Sequence, residues 1–361
     1  MKKLIFAGLA AILMIASCQK DVIPNENHED YTQSLYIRLN PDNFAPATKA
    51  VTDARIADGA KFATPLKVYI FISDEAGNIK HRIPVATVAD AANPLLNIEA
   101  LKDGYRLNNI YKLSKKVQIV GNPKPDNFAV DMDATLKSMV MYNDVLNLVN
   151  DIQYDNDPTE IVLYGEGSIS STQEGDAVRL TADVALNPMV SRFQITLDYD
   201  DTVIKEVTFE GVYIRNFYQT STFGNAGGGL NAQGSLEDDY TIDQPLFAGT
   251  YYSNMFDYSE AGLDTTKVFA YQFFPLTAPE IVVRYKAKNS NDNIEKLRFV
   301  RAKGFKDAVG NTFSNWLPGK LYNVDIVVGR GSDDPVGENV TLDVKITVGQ
   351  WAAVNLTPVY Q

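Results

Sequence analysis

Thiol and imidazole chemistry is nearly missing from this chain. Its 361 residues include one cysteine, Cys18, and two histidines, His28 and His81. One thiol excludes an intrachain disulfide framework and a cysteine-built metal cage. Neither histidine has a nucleophile motif beside it, so a Ser-His-Asp arrangement has nothing to assemble around; both read as surface residues and no enzyme is expected. Long apolar runs are lacking too. One stretch stands out, Leu4 to Ile15, and it stops short of the roughly 20 residues of a membrane-spanning helix. Cationic excess is absent: Lys and Arg number 33 against 45 Asp and Glu, a net charge of −12, which argues against nucleic acid or an anionic membrane face as a partner.

What is present starts at the amino terminus. Lys2 and Lys3 precede the apolar run, and Ala16-Ser17-Cys18 closes it as the lipobox IASC. Lipobox processing needs small side chains before the cleaved bond and a thiol that can carry diacylglycerol as a thioether. Cys18 alone supplies one, so residues 1–18 read as a lipoprotein signal with Cys18 as the lipidation site. One acyl chain holds weakly, so further acylation of Cys18, palmitate included, is expected. Removing Met1 to Ser17 takes away two lysines and no acid, leaving a net charge of about −14.

Gln19 to Asp30 is polar and aperiodic, a tether. From Tyr31 the texture changes: Leu35, Ile37 and Leu39 alternate with Tyr36 and Arg38, a half-buried strand that Pro41 ends. Asp42 to Pro65 has no apolar face and reads as an exposed loop of a length that is uncommon inside compact domains. Its Arg55 and Lys49, set among small residues, fit a site for a trypsin-like protease or are merely solvated charges.

Strands are expected at Leu66–Ser73, Val117–Gly121, Glu160–Glu166 and Ala177–Leu186, with a hairpin turn at Asp74–Asn78 where Gly77 supplies a positive φ. Leu136, Met139, Val140, Leu146 and Val149 recur at helical spacing, predicting one helix between Asp133 and Asp151. Asn187-Pro188 breaks the pattern, placing a domain boundary near 187. The second half predicts strands at Val207–Arg215, Lys267–Phe274, Glu280–Lys286, Lys296–Arg301 and Leu321–Val328. The fold class is all-β.

Possible chemistry is sparse. Carboxylates cluster at Asp198, Asp200 and Asp201, at Glu237 to Asp239, and at Asp333 and Asp334, all in polar loops where they stay ionised, and none has EF-hand spacing. Phe223 to Gly234 is glycine-rich without the lysine or helix start of a phosphate loop, and reads as a mobile loop. The rings at Tyr251, Tyr252, Phe256 and Tyr258 suit a sheet interface better than a sugar platform. Neither a cofactor nor a metal site is expected.

The carboxyl-terminal stretch is the most regular. After a linker-like Gly329 to Asn339, Leu342, Val344, Ile346 and Val348 fall on one strand face and Thr341, Asp343, Lys345 and Thr347 on the other. Gly349-Gln350 interrupts the pattern before Trp351, where a bend lets the chain continue to Val354 and Leu356.

In order and spacing, IASC, SLYIRLN, DARIADG, KVQIVGNP, NPMVSRFQITL, LPGKLYNVDIVV and LDVKITVGQW resemble the fimbrillin family, the type V pilins of anaerobic Gram-negative bacteria. The resemblance covers nearly the whole chain. It implies two transthyretin-like β-sandwich domains with a few short helices: 56–187 and 188–330, preceded by tether, removable strand and cleavage loop at 19–55 and followed by linker and donor strand at 331–361. It implies an outer-membrane and fimbrial location, cutting at Arg55 or Lys49 by a trypsin-like protease, and adhesion as the end use. The strand of Leu35, Ile37 and Leu39 would fill a groove in its own first domain, capping an otherwise unpaired sheet edge, until cut away. Leu342, Val344, Ile346, Val348 and Trp351 of another subunit would then replace it, four buried side chains contributing about 6–12 kcal/mol before ordering costs. The partners implied are other fimbrial subunits, the protease and, through Cys18, outer-membrane lipid. A subunit left uncut would serve as an anchor instead of shaft, and a glycan-binding surface lipoprotein is the alternative to a fimbrial role.

Overall fold

The computed structural model describes residues 33–39, 66–86, 96–127, 131–152, 154–155, 161–174, 177–230, 256–266, 268–290, 294–302, 304–307, 312–314, 316–330, 341–349 and 356–359. Strands dominate. In chain order they are β1 (Gln33–Leu39), β2 (Lys67–Asp74), β3 (Ile79–Ala86), β4 (Tyr105–Ile110), β5 (Ser114–Gly121), β6 (Val149–Asp151), β7 (Leu163–Ser168), β8 (Ser170–Glu174), β9 (Ala177–Val184) and β10 (Asn187–Pro188). There follow β11 (Ser191–Tyr199), β12 (Ile204–Arg215), β13 (Tyr218–Thr222), β14 (Gly227–Leu230), β15 (Phe256–Tyr258) and β16 (Phe269–Phe273). The last are β17 (Glu280–Asn289), β18 (Glu295–Ala302), β19 (Gly304–Asp307), β20 (Leu321–Arg330), β21 (Thr341–Gly349) and β22 (Leu356–Val359).

The first ten strands make two sheets, β4-β1-β9-β8 and β10-β7-β5-β2-β3, apart from β6. Later strands make two more, β16-β11-β20-β21 and β15-β12-β17-β18. Facing sheets bury the alternating apolar residues read from the sequence: Val68, Ile70, Ile72, Val117 and Ile119 in the first pair, Phe193, Ile195, Val283, Val324 and Ile326 in the second. In the second pair Phe193, Phe273, Phe305, Phe313 and Tyr322 surround Trp316, with Phe313 and Trp316 edge to face at 4.9 Å. In the first pair the sheets close tightly at one corner, because Gly165 and Gly167 lack a Cβ that would meet the backbone oxygens of Ala185 and Asp183 at 2.3 and 2.8 Å.

A further sheet, β14-β13-β6, ties the halves together. Asn150 pairs with Ser221, Ile152 N donates to Gln219 O at 3.0 Å, and Phe223 stacks near Tyr164 at 5.2 Å. Under this joint Asp155 is fully buried, accepting from Asn150 Nδ2 and from the Val162 amide, each at 2.8 Å.

Gly77 has φ of 86° in the turn between β2 and β3, as its sequence demanded. Four expectations are corrected. The single helix over 133–151 is two short ones, Met132–Ser138 capped by Asp131 and Tyr142–Leu146, with Val149 already in β6. Met139 and Val140 lie in the extended break between them, where the Val140 carbonyl accepts from Ile79 N, so strand pairing overrides the helical period. The glycine-rich loop is in part a strand: Gly227, Gly228 and Leu230 pair with β13, their missing side chains letting Tyr218 and Thr220 pack against them. His81 is half-buried in β3, its Nε2 accepting from Tyr111 N at 3.0 Å. Finally, the groove in which β1 lies is bounded by strands on both sides, β4 and β9, rather than by one open edge.

Candidate strand-exchange site

The site is the seat of β1. On one side it pairs antiparallel with β4, Leu35 opposite Leu107 and Ile37 opposite Tyr105. On the other it pairs parallel with β9, Leu35 opposite Leu180, Ile37 opposite Ala182 and Leu39 opposite Val184. Leu35, Ile37 and Leu39 are completely buried. Burying three such side chains contributes on the order of 5–9 kcal/mol, to which the two ladders add.

The outward face is held by weaker means. Ser34 Oγ donates to Asn108 Oδ1 at 3.1 Å and accepts from Arg106 Nη2 at 3.0 Å. Tyr36 Oη donates to the Asp103 carbonyl at 3.0 Å, and the Arg179 guanidinium stands 5.1 Å from the Tyr36 ring centroid. Arg38 Nε meets Asp183 at 2.9 Å, a pair exposed enough to contribute about 1 kcal/mol or less. The Asp103 carbonyl is presented by the helix Ile98–Asp103, which Asn97 caps and Gly104 ends with φ of 97°; Tyr36 lies where a Gly104 side chain would be.

The second element is β21. Its backbone pairs antiparallel with β20 in its own chain, Ile326 opposite Val344, Val324 opposite Ile346 and Tyr322 opposite Val348. Among the described residues it is an outer strand hydrogen-bonded to one strand, β20, while β1 is hydrogen-bonded to two. Leu342 is the remaining apolar member of this run. Beyond it β22 pairs with β19. Burial pushes the Tyr322 phenol up to about 12, so it stays protonated while accepting from the Leu317 amide at 3.1 Å.

Cys18, Lys49, Arg55 and Trp351 lie outside the described residues. Leu35, Ile37 and Leu39 come together as one face of the seat, and Leu342, Val344, Ile346 and Val348 belong to one strand in a separate sheet. Sequence reading missed Arg106, Arg179 and Asp183, which border the seat. Strand alternation marks which residues point inward but not which strand lies beside which, and only the pairing of β1 with β4 and β9 brings these three forward. Of the acidic run, Asp198 lies in β11, and Asp200 and Asp201 belong to the turn after it, Asp200 Oδ1 accepting from Thr202 N at 3.0 Å.

No family model matches the sequence, and no curated protein matches it. Solved structures do. A candidate cell adhesion protein from Bacteroides eggerthii is 15% identical over 90% of this chain and 98% of its own, with a TM-score of 0.52. One from Parabacteroides distasonis is 10% identical over 92% and 99%, with a TM-score of 0.51. The tip fimbrial protein Mfa3 from Porphyromonas gingivalis aligns at a TM-score of 0.45 and 9% identity over 88% of this chain and 99% of its own. The first two share this chain's all-β fold along nearly its whole length.

Proposed function

We propose that the chain is a structural subunit of cell-surface fimbriae, exported as a lipoprotein on Cys18, cut at Arg55 or, second, at Lys49 by a trypsin-like protease, and polymerised by donor-strand exchange. In this reading residues 56–187 and 188–330 are its two sandwich domains. The observation that carries it is the position of β1: an inner strand with its apolar face completely buried, whose covalent link to β2 runs through residues 40–66, which contain both basic sites. Cutting there leaves seven residues held by noncovalent contacts alone. Loss of β1 opens a slot with hydrogen-bonding strands on both sides, a seat for β-augmentation by another chain.

The tail fits as donor. It leaves two one-sided ladders, β20–β21 and β19–β22, for a seat with a strand on either side. Head-to-tail insertion does not close on itself, so it builds a filament. Intramolecular tethering of β1 protects the uncut precursor. Removable strand and tail together favour a shaft subunit, and the fold shared with the candidate cell adhesion proteins above fits a surface role. Amino-terminal sequencing of the mature surface protein, with immunogold imaging, tests this: a start just after Arg55 or Lys49 on filaments is expected. Acylated Cys18 on every copy, with no filaments, would overturn it.

A further inference from the structure

The strand in the seat and the tail share a sequence. Ser34-Leu35-Tyr36-Ile37-Arg38-Leu39 and Thr341-Leu342-Asp343-Val344-Lys345-Ile346 match position by position: hydroxyl, leucine, one dissimilar residue, branched aliphatic, cation, aliphatic. The dissimilar pair is informative. Tyr36 is the register partner of Arg106 on β4, and the Arg179 guanidinium lies over its ring, so two cations border a neutral side chain. Two residues on, Arg38 is the register partner of Asp183 on β9.

We propose that Thr341–Ile346 of a second copy enters the seat in β1's own direction and register, with Asp343 between Arg106 and Arg179 and Lys345 against Asp183. This rests on the strand-exchange reading and adds its register and the residues that read it. Cross-strand charge pairs stabilise when opposite and destabilise when alike, which rejects the neighbouring registers. A slip of two residues one way sets Lys345 against Arg106 and leaves Asp183 facing Thr347. A slip the other way sets Asp343 against Asp183. Entry in the reverse direction keeps Lys345 near Asp183 but gives the arginines only Thr347. Volumes agree as well, Leu342 for Leu35, Val344 for Ile37 and Ile346 for Leu39 being near-isosteric exchanges.

The same charges give exchange a direction. On β20, Lys345 is opposite Asp325 and Asp343 is opposite Val327. By register Lys345 is therefore opposite an aspartate in either place, whereas Asp343 is opposite an arginine only in the seat. Tyr36 supplies no such charge, so the arginines favour the incoming strand over the outgoing one.

Charge reversal tests this in cleaved full chains followed by light scattering. Asp343→Arg, and Arg106→Asp with Arg179→Asp, are each expected to slow polymerisation by about tenfold or more, and combining all three restores it. A second set locates the strand: Arg106→Cys in one chain with Asp343→Cys, Lys345→Cys or Thr347→Cys in another, oxidised and run without reductant. Crosslinks through position 343 support the proposal. Crosslinks through 345 or 347 mean a slipped or reversed strand and overturn it, as does normal polymerisation of the charge-reversed chains, while strand exchange itself stands. Cleaved wild-type chains that never polymerise sink both.

Discussion

The two sheet pairs are built to one plan. β1, β2, β3, β4, β5, β7 and β9 correspond in order and pairing to β11, β12, β15, β16, β17, β18 and β20. In both, the opening strand lies antiparallel to one neighbour and parallel to the closing strand, β1 on β9 and β11 on β20. Two of their differences bear on strand exchange. β11 runs into β12 through the short turn at Asp200–Val203, whereas β1 reaches β2 only through residues 40–66. The seat outside the closing strand is filled in the first pair by β8, which precedes β9 in the chain, and in the second by β21, which follows β20. A seven-strand plan is complete without the strand in that seat. The second pair thus carries a strand beyond the plan, while the first has an opening strand joined to the next only through a long connection; under the proposed exchange these would be donor and acceptor.

Equivalent lesions should therefore have unequal consequences. A carboxylate placed at Ile195, buried in β11, has no replacement strand to rescue it: Ile195→Asp is expected to cost 4 kcal/mol or more and to abolish filaments. Ile37→Asp costs the uncut chain a comparable amount, but the cut chain polymerises at least as fast as wild type because the damaged strand is discarded. Chemical denaturation of the precursors and light scattering after cleavage check both. Equal loss of polymer in the two variants would break the comparison.

Deleting Val340–Gln361 separates spare from essential. The melting temperature of the second pair should fall by only a few degrees while polymerisation disappears. A smaller effect comes from Gly104→Ala. Its Cβ would meet Tyr36 Oη at 1.8 Å, and φ of 97° suits glycine, so a loss of about 1–3 kcal/mol is expected in the uncut chain. Part of that loss vanishes once Tyr36 is gone. Stability measured before cleavage and after assembly should show the penalty shrinking.

Much of this was legible in the residues. Alternation at Leu35, Ile37 and Leu39 and along β20 marks strands whose inward side chains are the core, because a period of two is what a half-buried sheet imposes; β2, buried on both faces from Val68 to Ser73, reads instead as a continuous apolar run. The joint between the halves was not legible. β6 and β14 are short and lack an apolar face, and they are strands only because β13 lies between them. Nor does sequence reveal parallel neighbours: β1 and β9 are separated by most of the first sheet pair, and their meeting depends on the packing of everything between. The likeness of SLYIRL to TLDVKI is visible in the chain itself, yet it gains meaning only when Arg106, Arg179 and Asp183 are seen around one of the two.

The smallest effect concerns what keeps donor and acceptor ends in a fixed relation. Asp155, beneath the β6–β13 joint, has its carboxyl raised from 3.8 to about 6, chiefly because burial penalises the charged form, with the Asn150 and Val162 hydrogen bonds opposing. A raised carboxyl sets the sign. Below about pH 3.8 the group is protonated folded or unfolded and contributes no pH dependence. Between there and pH 6 the unfolded chain loses its proton first, so stability falls as pH rises, and above pH 6 the penalty is constant at about 2–3 kcal/mol. Asp155→Asn keeps an acceptor for the Val162 amide without the charge. It should flatten this slope between pH 4 and 6, leave the polymerisation rate unchanged, and be at least as stable as wild type at pH 7 in denaturant titrations. An unaltered slope would mean that Asp155 titrates alike in the folded and the unfolded chain, and that the joint is held by its strands alone.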